Sequence, residues 1–139
     1  MAIRPFSRLK REVARVAAQA AQTQGELKAS GEALNASLLV RDEFAAAMVF
    51  DFALGNAREL VLTADVTSVS LANLVPGGLY AVSVVQDGVG GRSIAWSGVQ
   101  WAGGAAPALT ATANARDNFM FASFDGATLS ELSQAMDVS

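Results

Sequence analysis

The sequence predicts a mainly β protein with an N-terminal α-helix: a helical, coiled-coil stalk followed by a small antiparallel β-sandwich or barrel head. Three observations predict it. A heptad-spaced run occupies residues 6–35. From Met48 onward the texture changes to short runs rich in Thr, Val, Ser and Phe, broken by Gly and Asn. Between those runs nothing has the length and period of a crossover helix.

The helix comes first. Residues 6–35 are rich in Ala, Gln, Glu, Lys, Arg and Leu, all good helix formers. Leu9, Val13, Val16, Ala20, Thr23, Leu27, Ser30 and Leu34 recur at alternating steps of four and three, the spacing of a coiled-coil seam. Pro5 stands just ahead, where a first-turn proline is tolerated. The small side chains of Ala20, Thr23 and Ser30 weaken the seam, and Gly25 and Gly31 each cost the helix about 1 kcal/mol against alanine. The pattern also admits a helix lying on another protein, or one folded back on the β region. Residues 36–47, with Asn35 and Asp42 as stop or start signals, read as a hinge.

The head spans residues 48–139. Its strand-length runs are Val49–Leu54, Glu59–Thr63, Thr67–Leu71, Leu79–Gln86, Ser93–Trp96, Ala108–Thr112, Asn118–Ser123 and Thr128–Leu132. Period-two alternation puts Tyr80, Val82 and Val84 on one face. Phe119 and Phe121 share a face likewise, with Met120, Ala122 and Phe124 opposite. Turn signals separate the runs, among them Pro76-Gly77-Gly78, Asp87-Gly88, Gly90-Gly91 and Asp125-Gly126. Short strands with Gly-rich turns predict antiparallel hairpins.

Composition narrows the function. Of 139 residues, 52% are hydrophobic and 17% charged, more apolar surface than a small monomer readily hides, so self-association is expected. There is no Cys and no His, which removes thiolate nucleophiles, imidazole bases and the usual zinc ligands. No apolar run is long enough to span a membrane, and no apolar segment follows the basic N-terminus as in a signal peptide. Residues 1–20 hold five basic residues, Arg4, Arg8, Lys10, Arg11 and Arg15, against one acid. The remainder holds five basic residues against twelve acids. A basic end on an acidic body predicts an anchor that meets different surroundings from the head. Five charges suit an acidic protein surface better than specific nucleic acid.

Catalytic and cofactor readings are weak. Gly88-Val89-Gly90-Gly91-Arg92 lacks the Gly-Lys-Ser/Thr ending and following helix of a phosphate loop, so a hairpin turn is expected. Asp51, Asp65, Asp87, Asp117 and Asp125 lie mostly beside Gly or Asn, where Asp has a structural use in turns. Neither an enzyme nor a cofactor or metal site is expected. Tyr80, Trp96 and Trp101 are the candidates for stacking on a sugar, weighed against a place in the core or a subunit interface.

A succession of motifs between Val49 and Asp125 carries a resemblance. It runs through Phe50-Asp51-Phe52-Ala53-Leu54-Gly55-Asn56, Leu60-Val61-Leu62-Thr63-Ala64-Asp65 and Gly77-Gly78-Leu79-Tyr80-Ala81-Val82. Gly90-Gly91-Arg92-Ser93-Ile94-Ala95-Trp96, Val99-Gln100-Trp101-Ala102-Gly103-Gly104 and Asp117-Asn118-Phe119-Met120-Phe121 follow. In order and spacing this resembles a small β module near the ends of phage tail fibres and related virion proteins. Ser97 departs from it, where that family usually has proline. The resemblance implies a homotrimeric structural protein located on a virion or a phage-like particle such as a gene transfer agent. It would contact capsid, connector or baseplate proteins and, through its head, a host-surface glycan. A capsid decoration or adaptor protein is the alternative; a glycan-processing enzyme is the remotest.

Overall fold

A computed structural model describes residues 11–16 and 39–138. The chain divides into two units, Met1–Ala36 and Ser37–Ser139. In the first, residues 11–16 are helical and exposed, and Arg15 pairs with Glu12 at 2.7 Å. Of the expected seam, Val13 and Val16 fall on that turn; Leu9, Ala20, Thr23, Leu27, Ser30 and Leu34 lie outside the described residues. So do Arg4, Arg8 and Lys10 of the expected anchor, whereas Arg11 and Arg15 are on the helix.

The second unit is mainly β, built from eight strands: β1 Leu39–Asp42, β2 Ala47–Asp51, β3 Ala57–Leu62, β4 Ser68–Ala72, β5 Leu79–Gln86, β6 Val99–Gln100, β7 Arg116–Ala122 and β8 Leu129–Ala135. They form a six-stranded sheet in the order β1-β3-β5-β7-β8-β6 and a two-stranded sheet of β2 and β4. Alternating side chains from both sheets meet in one core. Met48 and Phe50 come from β2 and Val69 from β4; Leu60 and Leu62 come from β3, and Tyr80, Val82 and Val84 from β5. Phe119 and Phe121 of β7 and Leu129 of β8 complete it.

The expected all-antiparallel arrangement is corrected here. Only β5-β7 and β7-β8 are antiparallel; β1-β3, β3-β5, β2-β4 and β6-β8 are parallel. Parallel neighbours need a crossover of about a dozen residues or more, which is usually a helix. Here the crossover is a strand of the other sheet. Residues 43–56 carry the chain from β1 through β2 to β3, and residues 63–78 carry it from β3 through β4 to β5. A strand crossover leaves no 3.6-residue period to read, so the absence of helical runs did not exclude parallel pairing.

Further expectations change with it. The stretch 36–47, expected as a hinge, supplies β1 and the start of β2, so the head begins by Leu39. Ser93–Trp96 makes one isolated parallel bridge, Val66 to Ile94, and Ala108–Thr112 forms no strand. The Gly88–Arg92 loop is no hairpin, because β5 already has β3 and β7 as neighbours. Gly90 and Gly91 take positive φ there, but Gly88 does not. Leu79–Gln86 forms the strand its alternation predicts, with Tyr80, Val82 and Val84 inward.

Because β1, β3 and β5 run together and β7 opposes them, the six-stranded sheet has two distinct ends. One gathers residues 52–56, 73–78 and 123–128, and the chain enters β1 there. The other gathers the exits of β1, β3 and β5 and the entry of β7.

Candidate functional site

The three aromatics singled out for sugar stacking do not form one surface. Tyr80 is buried, its ring 4.6 Å from that of Phe52, and its hydroxyl accepts a hydrogen bond from Val75 N at 2.7 Å. Gly78 has to be glycine beside it, since a Cβ there would lie 2.5 Å from the Tyr80 hydroxyl. Trp96 and Trp101 are partly buried and pack edge-on to each other at 5.3 Å. Trp96 also stands 5.6 Å from Phe119, and Trp101 the same distance from Phe121. These edge-to-face contacts cover Phe119 and Phe121 of β7. Each such pair is worth about 0.5–1.5 kcal/mol beyond its area. Phe124 lies the other way, fully at the surface.

The five carboxylates weighed for chemistry each hold the backbone. Asp51 accepts from Ala53 N and Asn73 Nδ2, and Asp65 accepts from Ser93 N at 2.9 Å. Asp87 caps its own loop, accepting from Val89 N and Gly90 N, and meets Arg92 at 3.2 Å. Asp125 accepts from Ala127 N and from the Thr128 backbone and hydroxyl. Asp117 is buried and receives Thr110 N, the Thr110 hydroxyl and Asp137 N, tying two irregular segments to β7. Hydrogen bonds to the ionised form stabilise it. Asn73 and Ala53 hold Asp51 below the ordinary carboxylate range, the Gly90 amide and then Arg92 do so for Asp87, and the Ala127 and Thr128 amides for Asp125. Among the described residues no group of three or more acids stands together as a metal site.

Two buried polar devices had not been expected from the sequence. Arg58 and Asp42 form a bidentate pair across β1 and β3, and Arg58 Nη1 also donates to the Asp51 carbonyl at 2.6 Å. Both side chains are nearly inaccessible. Gln86 ends the inward face of β5 and joins two loops. Its Nε2 donates to the carbonyls of Arg92 and Thr110, and its Oε1 accepts from Arg92 N. Gln86 was legible, since it continues the period-two face of Tyr80, Val82 and Val84. The Asp42–Arg58 pair was not, because its partners are joined only by strand register.

On the outer face of the sheet, register brings Arg41, Glu59, Ser83 and Asn118 into one cross-strand row. Glu59 accepts from Arg116 at 2.9 Å and from Arg41 at 3.2 Å, and the Arg116 contact above all holds its carboxyl below the usual range. A shallow cleft of about 250 Å³ lies between Gly91–Ile94 and Pro107–Ala111. Arg92 on its wall already meets Asp87. The head therefore presents a preorganised surface whose carboxylates hold its own loops.

No family model, curated protein or solved structure matches the chain.

Proposed function

We propose that this chain is a non-enzymatic structural subunit of a phage or phage-like particle, a fibre or spike of head or tail. The basic N-terminal segment anchors it to an acidic capsid, connector or baseplate surface. The heptad seam forms a coiled-coil stalk that gathers three copies, and the β head points outward to contact a host-surface glycan. The observation that carries this reading is the division of the chain. Its first twenty residues are basic and belong to a heptad-spaced run, whereas the acidic residues 39–138 fold into a head whose carboxylates hold loops. Such a head is built for display rather than turnover, because a carboxylate engaged by several donors is a poor proton carrier.

The packing of Tyr80, Trp96 and Trp101 into or against the core supports a second reading, a capsid decoration or adaptor subunit without a receptor. A glycan array probed with intact particles separates the two. For the anchor, a chain lacking residues 1–20 is expected to melt like the full chain and to be missing from purified particles. Truncated chains at normal copy number on those particles would overturn the anchoring role.

A further inference from the structure

We infer that the strand-entry end of the head, formed by residues 52–56, 73–78 and 123–128, is where heads of neighbouring copies of this chain pack against one another. The inference rests on the self-associating stalk proposed above and says where the heads meet.

This end is apolar and open. Leu54 is 63% exposed, Val75 61%, Leu79 56% and Phe124 74%. Single exposed apolar residues are ordinary on protein surfaces, but three on neighbouring loops with a fourth at the start of β5 mark an interaction surface. Their loops are fixed to one another. Gly77 N donates to the Ser123 carbonyl at 2.7 Å, Ser123 N to the Gly78 carbonyl at 3.0 Å, and Asn56 Nδ2 to the Leu79 carbonyl at 3.2 Å. Gly126 fits so closely under Pro76 that a Cβ would lie 3.0 Å from its ring. A surface ordered in advance loses little entropy when it docks.

Charge selects the occupant. Asp51 borders the three segments with its carboxylate turned onto Ala53 and Asn73, and within them the single charged residue is Asp125. Its carboxylate turns back onto Ala127 and Thr128. A contact between identical copies about a symmetry axis brings the same patch against itself, so every free charge would meet its like. An end whose two carboxylates are turned onto its own loops is the part of this acidic head able to do so. The opposite end, with Arg41, Glu43, Asp65, Asp87, Arg92 and Asp137, is not.

Connectivity agrees. Leu39 begins β1 at the apolar end. Only residues 35–38 separate β1 from Leu34, the last seam position. Five steps along the chain reach at most about 18 Å. Copies joined through the seam are therefore tethered at this end of the head and not at the charged one.

The absence of cysteine makes the test direct. In the full chain, Leu54, Val75, Leu79 and Phe124 are each replaced singly by Cys, with Val89→Cys, on the opposite loops and 74% exposed, as the control. Mass in solution and cross-linking by a short bismaleimide are measured on each. The expected result is a multimer in which at least two of the four positions cross-link several times more than Val89→Cys. A multimer in which none exceeds the control overturns this inference and leaves the stalk intact. A monomeric full chain overturns the stalk reading and this inference together. If the four cysteines react freely with a bulky maleimide in the multimer and become protected only on intact particles, another particle protein occupies the surface and the inference fails.

Discussion

The two ends of the β head hold their loops by different means. At the strand-exit end, side chains do the holding. Asp87 caps Val89 and Gly90, Gln86 joins Arg92 to Thr110, and Asp117 gathers Thr110 and Asp137. At the strand-entry end the main chain links one loop to another, through the mutual bonds of Gly77, Gly78 and Ser123. Buried polar side chains need partners, so the first end turns its charges to internal use. The second joins one loop to another through main-chain bonds, while Tyr80, Asn56, Asp51 and Asp125 each hold nearby amides or carbonyls, and Val75 and Phe124 face outward. The ends thus differ in what links loop to loop: buried polar side chains at the first, and the main chain at the second, where the exposed side chains are apolar.

The largest expected effect comes from the buried pair that joins β1 to β3 between the two ends. Asp42→Ala leaves the Arg58 guanidinium buried without its carboxylate, and breaking such a pair costs about 3–5 kcal/mol. Urea denaturation measures it. The double variant Asp42→Leu with Arg58→Met should recover much of the loss, since two apolar side chains replace a desolvated pair. A single variant within error of the parent would mean that the pair does not hold β1 to the sheet.

The core between the ends comes next. Trp96→Ala and Trp101→Ala each remove a partly buried aromatic from contact with Phe119, and each should cost about 3 kcal/mol. Early melting with any residual folded protein otherwise normal is the expected result. Normal melting with lost host attachment would instead place a glycan site at Trp96 and Trp101.

Glycine substitutions compare the ends directly. In Gly90→Ala, the residue has φ of 76° and the new Cβ would lie 2.4 Å from the Ala111 carbonyl oxygen, a clash that only backbone movement relieves. A loss of about 2–3 kcal/mol is expected. Gly126→Ala has a similar φ, but its nearest neighbour is the Pro76 ring at 3.0 Å, so about 1 kcal/mol is expected. Thermal melts of the two variants would sharpen the contrast, and a reversed order would break it.

The smallest effect is on pH dependence. Asp87 at one end and Asp51 and Asp125 at the other all sit below the ordinary carboxylate range, as does Glu59 on the outer face. A carboxyl whose pKa is depressed by folding contributes stability above its unfolded value of about 4, and that contribution is lost as pH falls through the folded value. The melting temperature should therefore hold steady from neutrality to about pH 5 and decline below about pH 4. Asp87→Asn and Asp125→Asn should each make that decline shallower.

Much of the head was legible in the sequence by itself. Period two along Leu79–Gln86 and at Phe119 and Phe121 predicts strands with those faces inward, because a strand beside a core has to alternate. Composition and turn residues likewise predict a mainly β body. Only the tertiary structure decided which strands pair and in which direction. Strand propensity is a local property, but a ladder needs a partner that can lie far along the chain. Ser93–Trp96 and Ala108–Thr112 have strand-like composition, yet among the described residues the first finds one bridge and the second none. Asp42 reads locally as a helix boundary, and it became half of a buried ion pair because β1 and β3 run parallel in the register that sets it diagonally across from Arg58. Alternation is imposed on each strand by the core it faces, whereas pairing depends on how the whole chain closes around that core.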